Sequence, residues 1–168
     1  MPYSYTGLDH WFERDLVELI KPATMFDVGV GAGKIGKLID KLTPCLRKGF
    51  DPKSIPESIQ CYNQFEECLF QDWIKTKTDW SVDLVVFGDV LEHMEWATMR
   101  SVLDFCQYRC KWMAIFTPLH YLQNSAEGNI HEAHRCVVRP ADLLNYKLVH
   151  YVLDLKEDIY YALLKGLL

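Results

Sequence analysis

The sequence lacks several features that would narrow its class at once. No CxxC pair occurs among its six cysteines, Cys45, Cys61, Cys68, Cys106, Cys110 and Cys136. Cys106 and Cys110 stand one helical turn apart with no matching second pair, so a structural zinc site is not expected. No apolar run approaches the roughly 18 residues of a membrane span. The first residues, MPYSYTGLDHWFERDL, hold no positive segment followed by an apolar stretch, so a secretory leader is not expected. With scattered thiols and no such signal, the chain reads as a reduced, cytoplasmic protein whose cysteines behave as small hydrophobes. No basic run occurs and the net charge is −5, which excludes a domain-wide footprint for nucleic acid but leaves a local patch open. Repeats, linkers and low-complexity stretches are absent too.

What remains is an ordinary globular composition, with 49% hydrophobic and 24% charged residues over 168 positions. A chain of that length forms one domain, 1–168, with a core large enough to need no staple.

Periodicity assigns the elements. Phe12, Leu16, Leu19 and Ile20 share one face of a helix over 9–20, which Lys21-Pro22 ends. MFDVGV reads as a buried strand, followed by glycines at 29, 31 and 33. Ile35, Leu38, Ile39 and Leu42 mark an amphipathic helix closed by Pro44. Residues 46–50 form a second strand ending at Asp51. Pro52 and Pro56 leave room for only a short helix in the ambiguous stretch 52–66, before CLFQD as a third strand ending at Asp72. DLVVFG (83–88) is a continuous apolar run, as for a strand covered on both faces. Met99, Val102, Leu103 and Cys106 mark the next helix, and KWMAIF (111–116) a fifth strand. A long polar stretch, 119–139, leads to a short helix at Pro140. YKLVHYVLDL and IYYALLKGL then read as a β-hairpin. Strands alternating with helices predict an α/β fold with a mostly parallel sheet flanked by helices, here finished by an antiparallel hairpin.

The loop from Asp27 to Gly36 admits two readings. Gly31-Ala-Gly33-Lys-Ile-Gly36 matches GxGxxG, with Asp51 near the offset expected for a ribose contact in a dinucleotide site. The same residues also read as D-x-G-x-G-x-G from Asp27. Asp27, Asp51, Asp72 and Asp89 would stand at successive strand ends. A pyrophosphate would be repelled by four carboxylates, whereas a sulfonium and an ammonium would be attracted.

On FDVGVGAGKIG and DLVVFGDVLEHM the chain resembles the class I S-adenosylmethionine-dependent methyltransferases, and their small-molecule branch in particular. GNIHEAHRCVVRPADLL also resembles a segment of some relatives, where N-x-x-E-x-H precedes a short helix. The resemblance runs from about residue 9 to the end and implies a Rossmann-like methyltransferase fold. It implies that Asp27, Gly29 and Gly31 line the methionine part of S-adenosylmethionine, that Gly33 also belongs to the cofactor loop, and that S-adenosylhomocysteine is the product. Asp51 would take the ribose hydroxyls, Asp72 the adenine amino group with Trp73 beside the ring, and Asp89 and Val90 would lie over the methionine. Phe50 is either an adenine contact or core. An Asn/Asp-Pro-Pro-Tyr type motif is absent after the fourth strand, which argues against a DNA adenine or glutamine methyltransferase.

Methyl transfer to a hydroxyl or amine benefits from a base, and histidine titrates near neutrality. Of six histidines, His93, His131 and His134 are the candidates, with His120 a weaker one. Each also has a structural reading: a hydrogen bond at a helix start for His93, and a loop held together by Glu132 and His134. No complete ligand set is evident, so no metal is expected. The stretch 119–139 would shape the pocket of a small-molecule or glycan-like acceptor. Tyr3, Tyr5 and Trp11 would cover the cofactor or pack the first helix, and Trp96 would line the acceptor site or fill core. A core that uses nearly the whole chain leaves little for a lid, so an open pocket, a large acceptor or a partner subunit that completes the site is expected, with a homo-oligomer as one form such a partner can take. An NAD(P)-binding oxidoreductase and a non-catalytic cofactor-binding subunit are the rival readings.

Overall fold

The computed structural model describes residues 7–53, 56–120, 124 and 133–168. Seven strands form one sheet in the order β3-β2-β1-β4-β5-β7-β6. They are β1 (Thr24–Val28), β2 (Leu46–Asp51), β3 (Gln64–Glu67), β4 (Val82–Gly88), β5 (Cys110–Pro118), β6 (Lys147–Asp154) and β7 (Ile159–Lys165). The first five run parallel, while β7 is antiparallel to both β5 and β6. The helices are α1 (Asp9–Asp15), α2 (Lys34–Leu42), α3 (Pro56–Ile59), α4 (Phe70–Thr76) and α5 (Trp96–Gln107). The expected mostly parallel sheet with a closing hairpin is the architecture found.

A core lies on each face of the sheet. On one, Phe12 and Leu16 of the N-terminal helix and Ile35 and Ile39 of α2 pack against Leu84, Val86 and Phe116. On the other, Met99, Val102, Leu103 and Cys106 of α5 cover Val85, Phe87 and Met113. Residues 84–87 of β4 are buried on both sides, which accounts for their unbroken apolar run.

The N-terminal helix departs from its expected face at one position. Leu19 is exposed, while Leu8, Phe12, Leu16 and Ile20 are buried. After α1 the chain widens into a π-helical turn, Leu16–Ile20. The wider turn keeps i, i+4 positions on one face and rotates Leu19 away. Lys21 then ends the helix in the left-handed region, at φ 46°. The buried Asp15 accepts a hydrogen bond from the Tyr161 hydroxyl at 2.7 Å, pinning α1 to β7.

The third strand is displaced from its expected place. Gln64–Glu67 pairs with β2, and CLFQD is instead the entry into α4. The strand QFEE is a polar edge, so it shows no apolar pattern. Phe70, Trp73 and Ile74 recur at i, i+3 and i+4, which is a helical spacing. The second crossover is short, as its prolines imply, since α3 has four residues.

Candidate active site

The chain leaves β1 outward to β2 and β3, then returns to place β4 on the other side of β1. The crevice at the carboxyl ends of strands flanking such a switch point is where open α/β sheets bind ligands. The register levels these ends, with Val28 opposite Phe50 on one side and Phe87 on the other.

Three left-handed glycines build the floor. Gly29, Gly31 and Gly33 have φ of 77°, 49° and 76°. A side chain at Gly29 would meet Val90 Cβ at 2.9 Å, and one at Gly33 the Ser58 backbone at 3.0 Å. At Gly31 it would meet nothing within 4 Å. The loop is therefore packed beneath and open above one glycine, as a cradle for a close ligand requires.

Carboxylates surround the cradle. Asp51 Oδ2 accepts from the Gly31 N–H at 2.9 Å, and its Oδ1 from the Lys53 N–H at 2.9 Å. Each oxygen keeps a second lone pair that a hydroxyl can use. Asp27 is buried at the end of β1, and its Oδ1 has no hydrogen-bond partner among the described residues. Burial pushes its carboxyl up to about 7, against a hydrogen bond from Tyr62 that lowers it and the charge of Asp51 that raises it. Asp89 is a non-glycine residue in the left-handed region, at φ 51°, held by its N–H donating to Phe116 O at 3.0 Å. Strain of this kind collects at ligand sites. Burial raises its carboxyl to about 6, with Lys34 opposing and Asp9 reinforcing the rise. Lys34 also pairs with Asp9 at 2.8 Å, joining α2 to α1.

Asp27, Asp51 and Asp89 thus meet at one rim, with Val90 packed under Gly29. Asp72 does not join them. It lies in the first turn of α4 and pairs at the surface with Lys75 at 2.7 Å. Trp73 is also elsewhere, because the helix turns it onto Phe26, Phe50 and Phe70. It lines a groove of about 320 Å³ among Thr24, Leu46, Gln64 and Val82, which begin their strands at the opposite end of the sheet. Phe50 is core.

Tyr62 is a site residue that the sequence reading missed. Its hydroxyl donates to Asp27 Oδ2 and accepts from the Gly36 N–H at 3.1 Å, in the first turn of α2. It falls in the stretch left ambiguous, and only the two ring-sized gaps beside Gly36 and Gly49 explain its place.

After Val90 the chain makes a tight 3-10 turn, Leu91–His93. The segment from Ala133 lies against it. Arg135 and Cys136 donate their N–H groups to Glu92 O at 2.7 and 3.1 Å. The rings of His93 and His134 stand edge to face, 4.9 Å between centroids. Two of the three candidate histidines are therefore brought together, and His131, Glu132, Tyr3 and Tyr5 lie outside the described residues. His120 instead pairs with Asp158 at the hairpin, and His150 with Asp15. Trp11 packs on the core below α1, and Trp96 is exposed at the start of α5. The six cysteines are free, but only Cys106 and Cys110 are buried.

No protein-family model and no curated protein matches the sequence. Solved structures do match. A SAM-dependent methyltransferase from Archaeoglobus fulgidus is 14% identical with a TM-score of 0.65, over 94% of each chain. A 1,6-didemethyltoxoflavin-N1-methyltransferase from Burkholderia thailandensis, solved with its substrate and S-adenosylhomocysteine, is 15% identical with a TM-score of 0.63, over 95% of this chain and 81% of that one. An O-methyltransferase family protein from the same organism is 11% identical with a TM-score of 0.63. The chain covers 56% of that protein's length. The fold is that of the S-adenosylmethionine-dependent methyltransferases.

Proposed function

We propose that the protein is an S-adenosylmethionine-dependent methyltransferase acting on a hydroxyl, or an amine, of a small-molecule or glycan-like acceptor. The convergence of Asp27, Asp51 and Asp89 around a glycine cradle open above Gly31 carries this reading. Such a rim suits a ligand bearing a sulfonium and an ammonium and repels a pyrophosphate, which disfavours NAD(P). The orphaned buried Asp27 Oδ1 fits the same charge, since a cation nearby offsets the cost of ionising it.

In this reading Gly29, Gly31, Gly33 and Val90 shape the floor under the methionine portion. Asp51 accepts from the ribose hydroxyls. Asp27 and Asp89 supply negative charge from below and beside the loop. The cofactor, when bound, supplies a methyl group already activated by a positive sulfur. The chain's own task is then to hold the acceptor in line and to receive its proton. His93 and His134 are the residues for that task, with His131 a third candidate from the same loop. Asp72 and Trp73 are left out because of where α4 carries them.

Calorimetric titration with S-adenosylhomocysteine and with NADH tests the assignment. Binding of the first alone is expected, and Asp51→Ala should weaken it by about 1.5–3 kcal/mol. Binding of NADH alone would overturn the proposal, and unchanged affinity in the variant would remove Asp51 from the site.

A further inference from the structure

Glu92, His93 and His134 bring one carboxylate oxygen and two imidazole nitrogens within 4.8 Å of one another. Two histidines and a carboxylate are the donor set of open divalent metal sites, which keep coordination positions for water or substrate.

The groups around the trio are placed as an outer shell would be. His93 Nδ1 lies 3.3 Å from the Ala133 carbonyl oxygen. A carbonyl only accepts, so an Nδ1–H facing it orients the ring as an outer-shell partner would. Thr117 Oγ1 donates to Glu92 Oε2 at 3.1 Å and fixes the plane of the buried carboxylate. The two hydrogen bonds into Glu92 O lock the His134 segment against the 3-10 turn, so the third ligand is delivered by a tied loop. The edge-to-face rings offer their nitrogens from different directions.

We propose that Glu92, His93 and His134 bind one divalent transition-metal ion of the zinc class. Bonds of about 2.0–2.2 Å would draw the three donor atoms together by roughly an ångström, which side-chain rotation supplies. Glu92 and His93 follow Asp89 and Val90 after Leu91, and His134 reaches them from the segment beyond β5. Resting on the methyltransferase reading, the ion selects an acceptor whose hydroxyl neighbours a second oxygen, because such a pair fills two open positions. A hydroxyl held there loses its proton to water near neutral pH. With the ion bound, His93 and His134 are ligands rather than bases, and the acceptor's proton passes to water instead of to an imidazole.

The test uses the full chain stripped of metal and titrated with Zn²⁺ by calorimetry and with Co²⁺ by visible absorption. One ion per chain is expected, without the intense thiolate-to-cobalt charge-transfer band. His134→Ala and Glu92→Gln should each weaken binding at least tenfold, while Cys136→Ser should not. If His134→Ala fails to fold, His93→Gln provides the same comparison. No stoichiometric ion, a thiolate band, or unchanged affinity across the ligand variants would overturn the site. S-adenosylhomocysteine is titrated in parallel. Its failure to bind beside intact metal binding would overturn the methyltransferase reading and leave the metal site standing.

Discussion

The Tyr62 hydroxyl donates a hydrogen bond to Asp27 Oδ2 across 35 residues of chain. It links the first turn of α2, through Gly36 N–H, to the buried carboxylate at the end of β1. Burial raises the Asp27 carboxyl and this hydrogen bond opposes the rise, so both bear on the pH at which Asp27 is charged.

Stability should fall as pH rises from about 4 to about 7. The Asp27 carboxyl is held up to about 7 in the folded protein, above its ordinary 3.8. Below pH 3.8 both states are protonated, and no penalty arises. Between the two values the folded state binds the extra proton, so stability is lost as pH rises through the folded pKa. The full penalty is roughly 4 kcal/mol. Asp27→Asn should therefore be more stable than the wild type in urea melts at pH 8, with the gap closing by pH 4. A gap independent of pH would show that Asp27 is not the titrating group.

Binding should show the opposite dependence. A cationic ligand favours ionised Asp27, so it should bind more tightly as pH rises towards 7 and should release protons on binding. Calorimetry of S-adenosylmethionine in buffers of different ionisation enthalpy reads that release directly. Tyr62→Phe removes the donor to Asp27, which pushes its carboxyl higher and should move the binding midpoint to higher pH. A midpoint unmoved by that change would sever Tyr62 from the site.

Gly31 and Gly29 should respond differently to alanine. Both are left-handed, and each substitution costs about 1–2 kcal/mol in backbone strain. At Gly31 the new methyl enters open space, so the fold should survive with a modest fall in Tm. S-adenosylhomocysteine affinity should drop at least tenfold, because the methyl occupies the cradle. At Gly29 the methyl meets Val90, so the larger loss should be in Tm. Equal affinity losses without a Tm difference would contradict the open cradle.

The elements that sequence revealed are those whose burial leaves a period. Ile35 and Ile39 face the core of α2, Met99 to Cys106 face that of α5, and residues 84–87 run apolar because both sides of β4 are covered. The glycine loop was legible because left-handed backbone favours glycine. Asp51 was legible because it ends a strand whose apolar stop is clear. The polar edge strand Gln64–Glu67 has no such signature, so the third strand was expected further along the chain and carried Asp72 and Trp73 with it. Tyr62 was hidden for a different reason. Its role depends on space beside Gly36 and Gly49, which lie far from it in sequence. The pairing of His93 with His134 likewise rests on backbone bonds to Glu92 O that no local pattern announces.

Trp73 and Asp72 provide the sharpest check of that displacement. Trp73 packs against Phe50 at 4.8 Å between ring centroids, and Lys48 Nζ stands 4.9 Å above its ring. Its neighbours are core aromatics and residues that begin strands, so its removal should cost stability rather than ligand affinity. Trp73→Leu should lower stability by about 1–3 kcal/mol through lost ring contacts. S-adenosylhomocysteine affinity should stay within twofold of wild type. Asp72→Ala breaks only the surface pair with Lys75 and should change stability by less than about 1 kcal/mol. A tenfold affinity loss in either variant would mean that α4 moves to meet the ligand, and that the adenine end of the site is built by a rearrangement of the β3–α4 junction.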